Sequence, residues 1–437
     1  MKKPLFFWNK LKSTFWFVPI LIIIVSILLS ISSVYIDQIV NYSSEGITRF
    51  FFVNNVDSAR TILSTISGAM IGVAGTVFSV TLVALTLASS QLGPRLIKKF
   101  MYVRLNQVVL GTYISTYLYC LIVLNSVQDY NDNIFIPSMS IFIAIILAIA
   151  NIVLLIVFIH QIAVSIQADN VISDVSAAIS KQTKILFPKE KEKNNCNSNI
   201  NVEEIKLNYT NTIPLKSVKS GYLQYIDNEA LMEIMINING LIVLSKRPGK
   251  YLIEDLTFGK LYVNNKIEDD VLTKILSQFV IGKTKSEQQD LEFSINQMVE
   301  IAVRALSPGV NDPYTAMVCI DNLTSTMCYL AQIDFPSNYY CDSKNKLRII
   351  TSNTNFEGIL ATSFNQIRQF SSESTAVIIK LMENLITIYQ FATKEEYKKA
   401  ILTHIQMTLN VGKRSINEQR DLDDLLERSK NYIKNEV

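Results

Sequence analysis

Four long stretches without a charged side chain dominate the first part of the chain. They contain no Asp, Glu, Lys or Arg and cover residues 13–36, 61–94, 105–128 and 133–168. Each is at least as long as the ~20 residues that an α-helix needs to cross the hydrocarbon core of a bilayer. We therefore predict a transmembrane domain at 1–168, with spans at about 13–36, 61–90, 105–128 and 137–162.

Charge is distributed unevenly between the two parts of the chain. Residues 1–168 hold 10 of the 41 Lys and Arg residues and 5 of the 38 Asp and Glu residues. Only 18% of the whole chain is charged, compared with about 25% in typical soluble proteins. This composition excludes an ordinary soluble protein, and the lack of a dense basic region excludes a nucleic-acid partner.

The positive charges of the first part lie mainly in two segments, the N-terminus and the loop between the second and third spans. Their residues are Lys2, Lys3, Lys10, Lys12, Arg95, Lys98, Lys99 and Arg104. Lys and Arg in short loops usually remain on the cytoplasmic side of a membrane. We therefore expect both termini, and residues 169–437, on the cytoplasmic side of the lipid bilayer.

The second part of the chain changes its pattern several times. Helical spacing of apolar residues predicts a stalk at 169–187, and 188–204, rich in Lys, Glu and Asn, is typical of a linker. Alternation of apolar and polar residues, together with turn signals, predicts a small β-barrel or sandwich at 205–265, with a hairpin at 232–245. Helical periodicity over 266–437 predicts a helical bundle. The predicted fold class is four transmembrane α-helices followed by a cytoplasmic α+β part.

A stripe of small residues distinguishes the second span. Its members recur at steps of three or four residues, and Leu82 is the one large residue that interrupts the series. They are Gly68, Gly72, Gly75, Ser79, Thr86 and Ser89. Small residues permit close helix contacts in a membrane, so the stripe either packs against another helix of the same subunit or lines a pore in an oligomer. The basic residues Arg95, Lys98 and Lys99 either form a cytoplasmic mouth that favours anions or only fix the orientation.

The sharpest local motif lies between two predicted helices at 304–316. A Pro-Gly pair ends one helix, and Asp312 followed by Pro313 is typical of the start of the next. The motif is either a structural corner or a polar site for a ligand or a neighbouring subunit. In the second case the site consists of Arg304, Asn311 and Asp312.

Recognisable catalytic and metal-binding signatures are absent from the sequence. It has no Walker-type phosphate loop, GxSxG elbow, HExxH pair or DxDxG calcium loop, and only two His residues, His160 and His404. The five cysteines show no CxxC spacing, so we expect thiols rather than a zinc site or a disulfide framework. We predict no catalytic residue, no metal and no cofactor, and an enzyme is the weakest interpretation.

Five segments of the chain carry a family resemblance. They are 68–100, 159–167, 220–222, 247–249 and above all 305–316, with the sequence ALSPGVNDPYTA. In these segments the chain resembles a widespread bacterial family of predicted membrane proteins of unknown function, and it differs at Gln161, where many relatives have a second His. The resemblance implies N-terminal spans, a cytoplasmic domain and a location in the bacterial plasma (inner) membrane. It implies no activity.

Two functions of different classes fit these patterns. The first is a homo-oligomeric channel for an ion, lined by the second span and gated or assembled by the cytoplasmic domain. Its basis is the small-residue stripe, together with spans that lack the internal charges of a coupled transporter. The second is a membrane-anchored sensor or scaffold that binds a cytoplasmic partner or a small-molecule ligand, because most of the chain follows the spans. We favour the channel.

Overall fold

The computed structural model describes residues 14–40, 55–93, 104–130, 133–165, 167–189, 196 and 201–432. The chain divides into two compact units, Met1–Asn170 and Val171–Val437, which we call the membrane unit and the C-terminal unit. The division lies close to residue 168, where the charge content of the sequence changes.

Four long helices form most of the membrane unit. They are α1 (Phe17–Ile39), α2 (Val56–Leu92), α3 (Arg104–Ser126) and α4 (Ser138–Ser165). Each contains a window that is long and apolar enough to cross a membrane, as the sequence predicts. A two-stranded antiparallel hairpin, β1 (Gln128–Tyr130) and β2 (Asn133–Phe135), lies between α3 and α4 in the chain.

α2 is longer than the charge-free stretch that predicts it. The helix begins at Val56 because the side chain of Asn55 accepts a hydrogen bond from the amide of Asp57 at 2.8 Å. It has 37 residues, which corresponds to a length of about 55 Å. The helix therefore exceeds the ~30 Å thickness of a hydrocarbon core.

α3 occupies the centre of the membrane unit. Half of its apolar window is buried, compared with 17–22% for the other three helices. At Gly111 it approaches α1 so closely that an added Cβ atom would lie 3.0 Å from the Cα atom of Pro19. A small residue at this crossing permits the close backbone contact on which helix association in a membrane depends.

A buried carboxylate connects α1 to α4. Asp37 is 8% exposed, and its oxygen atoms accept hydrogen bonds from the amides of Met139 (3.0 Å) and Ser140 (2.9 Å) and from the Ser140 hydroxyl (2.6 Å). Tyr119 of α3 extends this network, since its hydroxyl lies 3.1 Å from the Ser140 carbonyl and 3.0 Å from Ser33 Oγ. The network places a carboxylate at the N-terminus of α4, where the helix dipole favours negative charge.

The C-terminal unit contains two open sheets. Their strands are β3 (Asn211–Lys216), β4 (Gly221–Ile226), β5 (Leu241–Leu244), β6 (Tyr251–Leu252), β7 (Thr257–Val263), β8 (Phe279–Gly282), β9 (Tyr339–Cys341) and β10 (Leu347–Ile350). One sheet has the order β3-β7-β5-β10-β9 and the other β6-β4-β8, with β10 parallel to β5 and the other pairs antiparallel. Because neither sheet closes, the predicted small barrel is not found.

Ten described helices accompany these sheets. They are α5 (Ala168–Leu186), α6 (Val202–Leu207), α7 (Asn228–Asn237), α8 (Asp269–Leu276), α9 (Leu291–Ala305), α10 (Pro313–Leu330), α11 (Phe356–Phe370), α12 (Thr375–Phe391), α13 (Glu395–Ser415) and α14 (Gln419–Ser429). The segment 266–437 is mainly helical, but it also supplies β8, β9 and β10 to the two sheets. Strand pairing therefore extends beyond 205–265. The predicted stalk corresponds to α5, which buries Val175 and Ile179.

α7 replaces the first strand of the hairpin that the sequence predicts at 232–245. Asp227 caps the helix by accepting a hydrogen bond from the amide of Ala230 at 3.2 Å. Leu231 and Met235 are fully buried, and their spacing of four places them on one face of a helix. The alternation that predicts a strand is therefore wrong here, and only β5 is extended.

Cys196 and Cys341 form a disulfide in the structure, whereas the sequence predicts free thiols. Their Cα atoms lie 5.4 Å apart, although 145 residues separate them in the chain. The bond connects the predicted linker 188–204 to β9, and residues 190–195 and 197–200 of that linker lie outside the described residues. Among the described cysteines, Cys120, Cys319 and Cys328 are free.

We expect Asp37→Ala to destabilise the membrane unit. The change leaves two amides and one hydroxyl of α4 without their buried acceptor, at a cost of about 2 kcal/mol. Thermal unfolding of the purified protein in detergent, followed by circular dichroism, measures the loss. Asp57→Ala, at an exposed position in the first turn of α2, is the matched control and should cost only about 0.5 kcal/mol. Equal losses in both variants would contradict the anchoring role of Asp37.

His404 in α13 should make stability depend on pH. It is 4% exposed, and burial, followed by the charge of Arg368, lowers its pKa from 6.5 to about 4. Between these values the unfolded chain binds a proton that the folded chain does not, so stability falls as the pH drops from 6.5 towards 4. We expect the free energy of unfolding of His404→Gln to fall less than that of the wild type over this interval. The difference between the two decreases is up to about 3 kcal/mol. Urea unfolding at several pH values tests this, and identical pH profiles would refute it.

Candidate functional site

The small-residue stripe of α2 lies on the exposed side of the helix. Gly68, Gly72, Gly75, Ser79 and Thr86 are exposed, and Ser89 is half-buried. The opposite face is buried at Ala59, Leu63, Met70, Ala74 and Val77. A Cβ atom added to any of the three glycines would have no atom within 4 Å. Within the described residues, the three glycines of the stripe therefore pack against no other part of their own subunit.

Hydroxyl groups on α2 bond to the backbone of their own helix. The hydroxyl of Thr76 donates to the carbonyl of Gly72 (3.2 Å), and that of Thr86 donates to the carbonyl of Leu82 (2.9 Å). Such a hydroxyl satisfies its donor and keeps a lone pair for water or a second helix. The residues of the predicted mouth, Arg95, Lys98 and Lys99, lie outside the described residues.

The motif at 304–316 forms a tight corner between α9 and α10. Asp312 caps α10, as predicted: its Oδ1 accepts a hydrogen bond from the amide of Thr315 (3.1 Å) and its Oδ2 one from the Thr315 hydroxyl (2.6 Å). Pro313 occupies the first turn, and Asn311 adopts a left-handed backbone with φ of 49°. Arg304 is half-buried in the last turn of α9. Both oxygen atoms of the Asp312 carboxylate therefore serve the corner itself.

Polar side chains also connect the helices inside the membrane unit. Asn151 of α4 is 2% exposed, and its Nδ2 donates to Thr116 Oγ1 of α3 at 2.8 Å. The carbonyl of Asn151 accepts a hydrogen bond from the Tyr113 hydroxyl at 2.7 Å. Hydrogen bonds between spans hold helices together where the hydrophobic effect does not. These contacts are not predictable from hydropathy, because uncharged polar residues do not interrupt an apolar window.

The C-terminal unit contains a cavity of about 170 Å³ that the sequence analysis did not locate. We call it the Arg247 cavity. Its wall includes Phe187, Asn228, Lys246, Arg247, Leu291 and Tyr340. Six separate segments of the chain, 186–187, 226–228, 246–248, 289–291, 336–340 and 351–354, contribute to it, so only the fold brings these side chains together. The signal in the sequence is the Arg-Pro-Gly segment at 247–249, which predicts a turn and carries part of the family resemblance but does not by itself indicate a cavity.

The turn that presents Arg247 is fixed by a glycine. Gly249 has φ of 89°, a conformation that side chains disfavour. A Cβ atom at this position would lie 2.0 Å from Oδ2 of Asp290, so no larger residue fits. Asp290 caps α9 through Oδ1, which accepts a hydrogen bond from the amide of Phe293 at 3.1 Å. The turn after β5 therefore lies directly against the N-terminus of α9.

The charges around the Arg247 cavity are partly paired. Arg247 Nη2 lies 2.7 Å from Oε1 of Glu292, which also accepts a hydrogen bond from the hydroxyl of Thr354 at 3.0 Å. Burial raises the pKa of the Asp290 carboxyl, and its hydrogen bond to Phe293 opposes that shift. Lys246 is exposed and has no ion pair with any described residue.

Metal binding has no support in the described part of the chain. No group of three or more His, Cys, Asp or Glu side chains there could hold a metal ion. His404 is buried in α13, and its Nδ1 has no hydrogen-bond partner among the described residues. The prediction that the protein binds no metal stays a prediction.

Comparison with known proteins agrees with the four helices. The family described as "Predicted membrane protein (DUF2254)" matches residues 12–387. Uncharacterized proteins of Mycobacterium bovis and Mycobacterium tuberculosis are each 28% identical to the chain over 380 residues, which cover 86% of this chain and 72% of theirs. No solved structure matches the chain. Since the family match covers most of its length, the chain belongs to the predicted membrane protein family DUF2254.

Proposed function

We propose that this membrane protein is a homo-oligomeric channel of the bacterial plasma membrane, lined by α2 and assembled or gated by its C-terminal unit. The observation that carries the proposal is the exposed small-residue stripe. α2 buries one face in its own subunit and exposes the stripe of glycine, serine and threonine on the other, together with Leu82 in the stripe and apolar residues such as Ile71 and Val83 beside it. In a homo-oligomer, a face of this kind can point towards the central symmetry axis, where several copies of α2 meet.

The physics of the bilayer supports this use of the stripe. Lipid tails provide no hydrophobic drive for helix association, and a face that met only lipid would gain nothing from glycine. Around a central axis, Gly68, Gly72 and Gly75 would leave room for a path, while Ser79 and Thr86 would offer oxygen atoms to water. Ionisable side chains in the spans lie near the helix ends, as Asp37 does in α1 and His160 in α4, and no Asp, Glu, Lys, Arg or His lies in the middle of a span. Coupled transporters usually need such a central group, so we propose passive flux.

The length of α2 is consistent with a path that continues beyond the bilayer. The helix is about 25 Å longer than the hydrocarbon core, by the rise of 1.5 Å per residue. Arg95, Lys98 and Lys99 follow its C-terminal end in the chain. We propose that these charges surround the cytoplasmic mouth and favour anions at the entrance.

The mass of the purified particle is the first test of this proposal. We expect a closed ring of at least four subunits after correction for bound detergent, because fewer helices do not enclose a path. A monomer or dimer would contradict a pore formed by α2.

Tryptophan substitutions test the position of the stripe. We expect Ser79→Trp, and likewise Gly72→Trp, to block flux through reconstituted vesicles, because an indole group would fill the axis. Val80→Trp is the matched control, since Val80 is the next residue along α2, is 41% exposed and points about 100° away from Ser79. The particle mass is measured for each variant. Normal flux through the Ser79 and Gly72 variants would contradict the proposal that α2 lines the path.

The proposed orientation places both termini, and the disulfide, in the cytoplasm. Disulfides in that compartment are usually transient or redox-sensing. We therefore expect Cys196 and Cys341 to be thiols in growing cells and to form their bond in the purified, oxidised protein. Alkylation after acid quenching, followed by mass spectrometry, measures this, with the free residue Cys328 as an internal control. A closed bond in growing cells would contradict the cytoplasmic placement.

A further inference from the structure

We infer that the Arg247 cavity binds a small organic anion, with its phosphate or carboxylate group near Lys246 and Arg247 and its apolar part against Phe187, Leu291 and Tyr340. This site goes beyond the proposed channel and does not depend on it, because the cavity lies wholly in residues of the C-terminal unit. It gives the ligand-binding alternative of the sequence analysis a specific location.

The charge of the cavity wall favours an anion. Lys246 and Arg247 both line the cavity, and none of the lining residues is acidic. Glu292 holds one nitrogen of the guanidinium at 2.7 Å, and the other nitrogen atoms of Arg247 have no hydrogen bond within the described residues. Lys246 carries beside it an exposed ammonium group that has no ion pair with any described residue. Arg with free N–H groups is the side chain best suited to phosphate and carboxylate.

Two helices begin at the cavity and add to this preference. Asn228 is the first residue of α7 and Leu291 the first residue of α9, and both line the cavity. The N-terminal turn of a helix carries partial positive charge and unpaired amides, which favour anions. The caps Asp227 and Asp290 are not among the lining residues, and each carboxylate accepts a hydrogen bond from its own helix.

The remaining wall indicates the rest of the ligand. Phe187, Leu291 and Tyr340 provide an apolar surface. Oδ1 of Asn228 is buried and has no hydrogen-bond partner among the described residues, so it can accept a hydrogen from the ligand. A cavity of about 170 Å³ is smaller than the 300–1,000 Å³ typical of drug-sized pockets. These features suit a small metabolite with an anionic end and an aromatic or aliphatic body.

The wall is held in place before any ligand binds. Gln289 bonds to both backbone groups of Ile226, accepting from its amide at 2.9 Å and donating to its carbonyl at 3.1 Å. Asn353 donates to the carbonyl of Ser337 at 2.9 Å. The close fit of Gly249 against Asp290 fixes the turn that carries Arg247. Such preorganisation reduces the entropy that a ligand must supply on binding.

Binding of simple anions to the full-length protein in detergent tests the inference. The probes are phenyl phosphate and benzoate, with benzyl alcohol and benzamide as uncharged analogues, measured by calorimetry and by thermal shift. We expect saturable binding of at least one anion and none of the uncharged analogues. The two anions distinguish a phosphate from a carboxylate ligand. Absence of saturable binding by both anions, or equal binding of anions and uncharged analogues, would overturn the inference.

Variants of the cavity wall locate the bound anion. We expect Lys246→Gln to weaken binding about tenfold, corresponding to one lost charge contact. Lys250→Gln removes the same charge from an exposed position outside the cavity and should bind like the wild type. Asn228→Asp is the sharper test, because an acidic residue in the first turn favours the helix while it repels an anion. A folded Asn228→Asp protein that binds as tightly as the wild type would overturn the inference.

Discussion

Hydrogen bonds between helices and close backbone contacts hold the membrane unit together, because hydrophobic burial does not drive helix association in lipid. Asp37 shows this most clearly. Its carboxylate lies in α1 and receives three hydrogen bonds from the first turn of α4, and Tyr119 of α3 bonds to the same turn. A second contact, at Gly111, brings α1 and α3 together at backbone distance. These two points give the bundle an order that apolar surfaces alone would not specify.

The same physics explains which features the sequence could predict. A span is a property of a local window, so four charge-free stretches were enough to locate α1 to α4. The corner at Asp312 is also local, because a cap and a proline act within one turn. The Asp37 network joins residues about 100 positions apart, and the disulfide joins residues separated by 145 positions. No local window contains information of that kind.

The wrong predictions of a strand and of a small barrel in the C-terminal unit have a related cause. Apolar residues at every second position favoured a strand at 232–238, whereas the fold buries Leu231 and Met235 on one face of a capped helix. β5 then pairs with β10, which is parallel to it and follows more than 100 residues later in the chain. The architecture of a sheet whose strands are so far apart in the chain cannot be predicted from its first strands alone. The Arg247 cavity was not predicted for the same reason, since its lining residues also come from distant segments.

The segments that carry the family resemblance fall into different physical classes. The motif at 305–316 is locally complete, since the polar atoms of Asp312 serve the corner. The Arg-Pro-Gly turn is different. Only glycine fits where this turn meets α9, and Arg247 lines a cavity with guanidinium N–H groups that have no hydrogen bond within the described residues. Phe187, at the end of α5, lines the same cavity, and α5 follows α4 in the chain with only two residues between them. An anion in this cavity would therefore lie against the end of α5, the helix that follows the last span in the chain.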